Sequence, residues 1–504
     1  MTKFINPIEG DGKVDVIVLL QALLHEVGRL DSILTSVNKA TSQRIASAET
    51  IDVRGDRDRI QQIYNRVYPV LFLPSKIPLE ILVQIFIACL PHHPRPVIQS
   101  APLLLCSVCT TWRQIALHTP ALWTSITLRT VGKLSSVSRW WFSRAGDLPL
   151  TLRFEPSWWF RRPRNSTGPI NLRHKVNNLE LLDVAAGDTI LRQLQNLLDV
   201  DNIHRISVKT ASPFSTVVTP PYPFPQIRKL ILSHKVEPSG GFVICPPPNL
   251  THLCLSGRWL SADLWSSLIR ECTSLQHGLF AIHKMHLLHP PGPVTTLKDL
   301  IGLKIVLYTD CRPSLLDNLY FPSLKSFSIG YVMETLGPWH PRYLAPVRVD
   351  KLRSLVLYRL TIPYKDLMNL LKMADSLESL VLDVPFRSSN LFKLMKVDGQ
   401  SNSVLLPMIS KLTIHHHPMI GGQFHTFDKY GFMTFVKSRW NLKHTPIGSP
   451  SSYGRISFVS VRTEHKDARI ESLRILLEGM KRRGLRVSIG VSSQGYRVST
   501  EVNW

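Results

Sequence analysis

The sequence predicts an α/β chain in which N-terminal helices precede a solenoid, or horseshoe, of repeated strand–helix units. The first observation is helical periodicity, because apolar residues recur three or four positions apart over residues 14–49. The second is a short apolar-x-x-apolar-x-apolar pattern that recurs at roughly 24-residue intervals from residue 179 onward. Hydrophobic residues make up 44 % and charged residues 19 % of the 504 positions, which is typical of a folded protein.

The composition favours a soluble intracellular protein, cytoplasmic, nuclear or both, with a basic surface. Seven cysteines are few and odd in number, which favours free thiols in a reducing compartment. No signal-peptide core is present, and the early apolar run at residues 14–24 is too short to span a bilayer, so no membrane partner is expected. The net charge is +24, yet charges balance over residues 1–90. The excess beyond that point attracts acidic or phosphorylated proteins or nucleic acid, or is simply a solvated surface.

Residues 1–13 are predicted to form a disordered tail, and residues 14–70 to form amphipathic helices. The first helix covers residues 14–49, and Gly28 weakens it by about 1 kcal/mol relative to Ala. A second covers roughly residues 56–68 and ends before Pro69. An antiparallel pair or a short coiled coil fits this pattern. It would either dimerise the chain or pack against the next helices, and packing is the simpler interpretation.

Residues 77–123 predict short helices with more apolar surface than they can bury alone. Pro78 suits the first position of a helix, and Pro91 ends that helix. Between them, apolar residues follow the helical period. Two further helical pieces carry Trp112 and Trp123. The surplus apolar surface must therefore contact a partner or the rest of the chain.

Three ordered motifs in this stretch resemble an F-box. They are Ile-Pro-x-Glu-Ile-Leu-x-x-Ile-Phe from Ile77, Val-Cys-x-x-Trp-Arg-x-Ile-Ala from Val108, and Pro-x-Leu-Trp from Pro120. Ile77 stands where the family has Leu. The resemblance, to fungal-type F-box proteins in particular, implies a three-helix F-box over residues 71–128 that binds a Skp1-like adaptor and, through it, a cullin. The residues expected to bind Skp1, or to form the F-box's own core, are Ile77, Pro78, Ile81, Leu82, Ile85, Phe86 and Trp112.

Residues 129–178 are interpreted as a transition that caps the solenoid. Two aromatic clusters, at residues 140–142 and 158–160, flank a candidate strand at residues 150–154. Such clusters commonly seal the open end of a repeat core. The alternative is a stacking platform for bases, because three arginines follow the second cluster, but proline and glycine there favour an exposed loop.

Residues 179–504 are predicted to form a degenerate leucine-rich-repeat-like domain that binds the substrate. Each unit supplies a strand and a return helix, and stacking buries the apolar side that a single unit cannot bury. Return helices are expected at residues 261–270 and 364–372, with Ser261 or Asp263 at an N-cap. After residue 415 an insertion is expected, then a last repeat and an edge strand at residues 485–489. The predicted units begin at Leu179, Ile203, Ile227, Leu250, Leu275 (degenerate, with Gly278 and Phe280), Leu300, Leu324, Leu352, Leu377 and Ile409.

No motif predicts catalysis, a metal site or a cofactor. Phosphate-binding loops, nucleophile elbows and His-Glu-x-x-His are absent from the sequence. Cys106 and Cys109 have zinc-like spacing but lack a second pair, so they are interpreted as packing residues. The histidines at residues 277–289 and 415–417 are interpreted as solvated. Three consecutive strand residues point to alternate faces and cannot converge on one ion.

The predicted function is that of a non-catalytic substrate-recognition adaptor of a Skp1–cullin–F-box ubiquitin ligase. The F-box would hold Skp1, and the solenoid would hold a protein substrate, acidic or phosphorylated given the charge. The alternative is a leucine-rich-repeat scaffold that does not bind Skp1 and binds an acidic protein or nucleic acid. Nucleic acid is the less favoured ligand, because no basic tail or RNA-binding aromatic signature is present.

Overall fold

The computed structural model describes much of the chain from residue 77 onward and divides it into two compact units, Met1–Asn177 and Asn178–Trp504. The predicted tail at residues 1–13 and helices at residues 14–70 lie outside the described residues. So does the aromatic cluster at residues 158–160. The described residues are 77–128, 140–155, 176–182, 202–210, 226–234, 246–284, 293–308, 313–332, 336–385, 388–397, 404–417, 419–420, 423–424, 427–441, 453–463 and 468–491.

Short helices and two parallel strands form the described part of the first unit. Pro78 lies at the N-cap of the first helix rather than inside it, because its ψ of 141° is extended. The elements are α1 (Leu79–Ala88), α2 (Leu103–Val108), α3 (Thr110–Leu117), a 3₁₀ turn (Pro120–Trp123), β1 (Ser125–Leu128) and β2 (Leu150–Phe154). Ser125 lies opposite Thr151 in the β1–β2 pair.

Aromatic side chains hold the first unit together. The Phe86 ring lies 4.8 Å from that of Trp112 and so joins α1 to α3. The indole Nε1 of Trp123 donates to the Ala116 carbonyl at 2.8 Å, and that of Trp141 donates to the Ser125 carbonyl at 3.1 Å. Trp123 and Trp141 are both buried, with their rings 5.0 Å apart in a T-shaped pair. The indoles of Trp123 and Trp141 thus each have a hydrogen-bond acceptor as well as an aromatic neighbour.

A large parallel sheet dominates the second unit, and its strands lie side by side in the order in which the chain makes them. The sheet strands are β3 (Val176–Leu182), β4 (Arg205–Thr210), β5 (Lys229–His234), β6 (His252–Ser261), β7 (His277–Lys284), β9 (Gly302–Leu307), β11 (Ser326–Tyr331), β13 (Ser354–Tyr358), β15 (Ser379–Asp383), β16 (Lys411–His416), β19 (Phe458–Thr463) and β20 (Arg486–Val491).

Helices and short pairs fill the intervals between these strands. The helices are α4 (Ala262–Glu271), α5 (Tyr364–Lys372), α6 (Ser388–Met395), α7 (Lys429–Trp440) and α8 (Ala468–Lys481), with 3₁₀ turns at Pro313–Leu316, Pro341–Leu344 and Val349–Lys351. The short strands are β8 (Thr295–Thr296), β10 (Leu319–Tyr320), β12 (Gly337–Pro338), β14 (Leu360–Thr361), β17 (Met419–Ile420) and β18 (Gln423–Phe424). No helix in the described ranges is long and apolar enough to cross a membrane.

Local signals explain where these helices start. Ser261 caps α4, since its hydroxyl accepts from the Leu264 amide at 3.2 Å, as the sequence predicts. Asp263 lies in the first turn, where a carboxylate favours the positive end of the helix. The Cys109 thiol accepts from the Trp112 amide at 3.4 Å and so caps α3.

Buried ladders run across the sheet on one of its faces. Leu230 pairs with Leu253, and two strands further on Leu303 pairs with Phe327, so equivalent positions of the predicted units stand in register. The first apolar position of each predicted unit from Ile203 onward is buried as well, two residues before the strand begins. The second apolar position of each unit forms the middle ladder, which consists of Leu179, Ile206, Leu230, Leu253, Gly278, Leu303, Phe327, Leu355, Leu380, Leu412, Val459 and Val487.

The predicted register of the first unit is wrong by three residues. Leu179 pairs with Ile206, which is the middle position of its unit, so this unit begins at Val176. Val176, Leu179 and Leu181 are all buried. The error has a simple cause, because the same three-residue apolar pattern can be read from either residue 176 or residue 179.

Candidate binding surfaces

The structure sorts the seven residues predicted to bind Skp1 into a buried and an accessible set. Leu82 and Phe86 lie one turn apart on α1 and are 3 % and 0 % exposed. Ile81 is 53 % exposed and Pro78 is exposed as well. The other three are half-buried: Ile77, Ile85 and Trp112.

Helix α1 therefore has two apolar strips with different surroundings. Leu82 and Phe86 pack into the first unit, while Ile81 and Ile85 form the neighbouring strip one turn apart. Leu79 was not selected from the sequence, yet it is 56 % exposed at the start of the helix. Its position directly after Pro78 could have predicted this exposure, because a side chain in the first turn of a helix has no preceding turn to cover it.

The sheet face opposite the ladders carries a row of basic side chains in the second unit. Arg205, Lys229, His252 and His277 occupy the same register position on β4, β5, β6 and β7. These four residues are called the basic row below. Since neighbouring strands are about 4.8 Å apart, the row is about 14 Å long. All four side chains are half-buried.

The two histidines of the basic row are held together as a stacked pair. The imidazole rings of His252 and His277 are 4.8 Å apart with an interplanar angle of 28°. The next strand carries Gly302 at this position, and a Cβ there would lie only 2.7 Å from His277 Nδ1. Glycine thus leaves room for the His277 ring above β9.

The electrostatics of this face keep both imidazoles uncharged at neutral pH. Burial, reinforced by the neighbouring cations of the row, lowers the pKa of His252 to about 4. Burial and the charge of Lys229 also lower the pKa of His277. On this face, β4, β5, β6, β7 and β9 carry no Asp or Glu at the described positions, and the carboxylate of Glu180 belongs to β3.

An apolar strip lies next to the basic row. Ile231, Cys254 and Leu279 are buried in one cluster at the position two residues after the row. At the same position on β9 the residue is Lys304, and burial lowers its pKa. The long stems of arginine and lysine can cover such a strip while their charged ends remain accessible.

A second apolar patch on this face is built around Tyr358. Its ring covers Gly330 of the neighbouring strand, where a Cβ would lie 2.6 Å from the ring, and its hydroxyl donates to the Ile305 carbonyl at 3.1 Å. Ala281 and Val306 are buried against it. The tyrosine therefore spans three strands and fixes this part of the face.

His415 and His416 are buried and the His417 side chain is 10 % exposed, so the expectation that these histidines are solvated is wrong. His417 Nε2 lies 2.7 Å from Asp383 Oδ1, and Asp383 is 1 % exposed. His416 points the other way, and its ring lies 5.5 Å from that of Phe427. Neighbouring elements thus cover both faces of this strand end, which the sequence could not reveal.

No group of three or more metal-ligating side chains that could hold an ion occurs in the described ranges. Asp383, His415 and His417 form a polar cluster at the ends of β15 and β16. Burial lowers the pKa of His415, against the opposite effect of Asp383. Of the histidines at residues 277–289, His277 and His283 are half-buried, and His286 and His289 lie outside the described residues.

An open groove of about 690 Å³ lies at the edge of the sheet where the strands begin. Lys298, Lys325, Lys351 and Arg353 line it, with Gln276 at one end, the residue that precedes the last member of the basic row. Two carboxylates interrupt its positive charge, Asp299 and Glu378, and the latter lies 3.7 Å from Arg353.

A scan against protein-family models finds none that matches the chain, and a search of curated proteins finds no significant match. The assignment of a function therefore rests on the surfaces described above.

Proposed function

We propose that the chain is a substrate-recognition adaptor of a Skp1–cullin–F-box ubiquitin ligase, working in the cytoplasm or nucleus. In this proposal α1, α2 and α3 form an F-box that binds a Skp1-like adaptor, and the second unit holds a protein substrate. The observation that carries it is the sorting of α1. Leu82 and Phe86 stabilise the unit, while Leu79 and Ile81 leave apolar surface open to a partner.

The second unit is proposed to be a degenerate leucine-rich-repeat solenoid, curved as a horseshoe. Three features support this: the strands are parallel, they follow chain order, and the apolar positions of successive units form continuous ladders. Such a scaffold presents to its partners the sheet face that lies opposite the buried ladders. That face carries the basic row and the patch around Tyr358.

The proposed mechanism needs no catalytic group on this chain. Binding a ligase through one surface and a substrate through another raises the effective concentration of the substrate near the ubiquitin donor. A rigid substrate face and an accessible α1 are sufficient for that task. Neither a metal nor a cofactor has a role in it.

The test is binding of the purified full-length chain to purified Skp1. An aspartate at position 81 would place a charge in the proposed apolar interface, so Ile81→Asp should weaken binding at least tenfold. Because Ile81 is half exposed, this variant should keep its thermal unfolding midpoint. Trp112→Ala is a poor test, since it removes the ring that packs against Phe86.

The matched control is Ile475→Asp, which changes an isoleucine that is 79 % exposed on α8. It should bind Skp1 like the wild type. Equal binding by Ile81→Asp and Ile475→Asp would contradict the proposed interface. A folded wild-type chain that does not bind Skp1 at all would end the adaptor proposal.

The second candidate function is a scaffold that does not bind Skp1 and instead binds an acidic protein or nucleic acid. The observation that favours it is the basic row, which would serve such a scaffold equally well. Skp1 binding separates the two candidates. For the scaffold, a steep fall of nucleic-acid affinity with salt concentration would identify the ligand as a polyanion.

A further inference from the structure

The basic row concentrates cation-forming side chains at one place of the substrate face. Arg205, Lys229, His252 and His277 lie in register on four neighbouring strands, and Lys304 follows one strand further at the adjoining position. On β3 the register position of the row carries the neutral Asn178, and the carboxylate of Glu180 lies two residues further along that strand. The row is thus a short positive site with a defined beginning and end.

We propose that the basic row binds a phosphoserine or phosphothreonine of the protein that this chain recognises. The biological role of this site rests on the proposed adaptor function, but the binding itself does not require Skp1. The site would make recognition of the partner conditional on its phosphorylation.

The chemistry of the row suits a phosphate group better than a single carboxylate. A phosphate ester carries a charge of about −1.5 to −2 at pH 7 and three acceptor oxygens. Donors on neighbouring strands are about 5 Å apart, so side chains from two or three strands reach the oxygens of one phosphate. Arg205 offers a planar fork, Lys229 a point charge and the histidines ring N–H donors.

The histidine pair gives the site a further property. Both imidazoles are neutral before a ligand binds, because burial and their neighbours disfavour the imidazolium form. A bound phosphate supplies the opposite charge, which favours the imidazolium form and so couples binding to proton uptake. The charged or titratable groups that face the pair are Arg205, Lys229, Cys254 and Lys304, with Glu180 at the far side of the row.

A nucleic acid fits this row less well than a phosphopeptide. Nucleic-acid sites follow a backbone that carries one charge per about 1.7 Å of duplex, over many phosphates. This row is about 14 Å long. Beyond His277 its register position continues with Gly302, Ser326, Ser354 and Ser379, which are neutral. The groove along the same edge is interrupted by Asp299 and Glu378.

The experiment measures binding of the purified full-length chain to a fluorescent degenerate peptide pool with one fixed phosphoserine, at about 150 mM salt. The same pool treated with phosphatase and a mixed-sequence single-stranded RNA are the comparison probes. We expect the phosphorylated pool to bind at least tenfold more tightly than the dephosphorylated pool, and inorganic phosphate to compete. We also expect that preference to be lost in the Arg205→Gln, Lys229→Gln double variant.

The control double variant Arg482→Gln, Arg483→Gln removes the same charge from exposed positions after α8 and should keep the preference. Equal binding of the two peptide pools would overturn the proposal, and so would an equal loss in both double variants. Tighter binding of the RNA, reduced by the row variants, would assign the row to nucleic acid instead. None of these readouts uses Skp1, so failure here and failure of the adaptor proposal are separate results.

Discussion

Gly278 shows how one residue can break a repeat pattern for a packing reason. It occupies the middle ladder position of β7, where most other strands have Leu, Ile, Val or Phe. A Cβ at this position would lie 2.5 Å from the Phe280 ring. The larger aromatic residue at the next ladder position therefore fills the space that the missing side chain leaves.

We expect Gly278→Ala to lower the free energy of unfolding by about 1–3 kcal/mol, because the added methyl group overpacks the ladder. Phe280→Leu in the same chain should relieve the clash, so the two changes together should cost less than the sum of the separate costs. Urea denaturation of the single and double variants measures this coupling. Gly479→Ala is the control, since a Cβ there meets no atom within 4 Å. Additive costs at positions 278 and 280 would refute the explanation.

The stacked histidines predict a pH-dependent stability. Burial lowers the pKa of His252 to about 4 in the folded chain, below the ordinary value of 6.5. The unfolded chain therefore binds the proton first as the pH falls from 6.5 towards 4, and stability is lost over that range. Facing cations from Arg205 and Lys229 act in the same direction.

We expect the urea midpoint to fall between pH 7 and pH 5, and the His252→Gln variant to lose less stability over this range than the wild type. The control variant is His92→Gln, at an exposed position of the first unit. If the stabilities of His252→Gln and His92→Gln change with pH in the same way, the His252 imidazole is not the cause.

At this scale the sequence predicts much of the sheet and little of the candidate site. Leucine periodicity is sufficient to place Leu230, Leu253 and Leu303 at equivalent positions, because burial selects the residue type. Leucine periodicity fails at Leu179, because the apolar pattern of this unit can start at residue 176 or at residue 179. The basic row lies between the apolar positions, where the sequence imposes no pattern, so only the pairing of β4 to β7 reveals it.

At the scale of elements, α7 is organised around a buried arginine. Arg439 is 0 % exposed and donates to four backbone carbonyls, those of Met395 at 3.1 Å, Leu405 at 3.2 Å, Leu406 at 3.0 Å and Pro407. Burial lowers its pKa to about 10, so the guanidinium stays charged at neutral pH. It joins the end of α6 and the turn at residues 405–407 to α7.

We expect Arg439→Met to lower the free energy of unfolding by about 3 kcal/mol or more, because several buried carbonyls lose their donor. Arg439→Lys should recover little, since a single ammonium cannot reach four carbonyls in the geometry of a planar fork. Chemical denaturation gives the comparison, and Arg482→Met, at an exposed position, should be nearly neutral. Equal stability of the Met and Lys variants with the wild type would show that these hydrogen bonds contribute nothing.

This arginine also explains why the sequence predicts only an insertion at residues 429–440. Phe432, Phe435 and Arg439 are all buried on one side of the helix, whereas Tyr430 on the other side is 72 % exposed. A charged residue within the buried stripe and an aromatic residue on the exposed side weaken the periodic signal by which α5 was predicted.

At the scale of the whole molecule, the two proposed surfaces belong to separate compact units and differ in kind. The first unit offers apolar side chains of α1, whereas the second offers cations on a rigid sheet. The net charge of the chain does not follow this division, because residues 1–90 are balanced but residues 91–177 of the first unit carry twelve Lys or Arg against two Asp or Glu. An apolar contact tolerates salt and a cationic one does not, so salt concentration distinguishes the two binding events.

The chain-order arrangement of β3 to β20 has a consequence for how such a protein changes over generations. Each sheet strand pairs only with the sheet strands before and after it in the sequence. Duplicating or deleting one whole strand-and-return segment breaks no other pairing within this sheet, because the strands on either side of the change meet with the same ladder positions. A lineage can therefore lengthen or shorten the substrate face in whole-unit steps, and acquire a new specificity, while the remainder of the molecule is inherited intact.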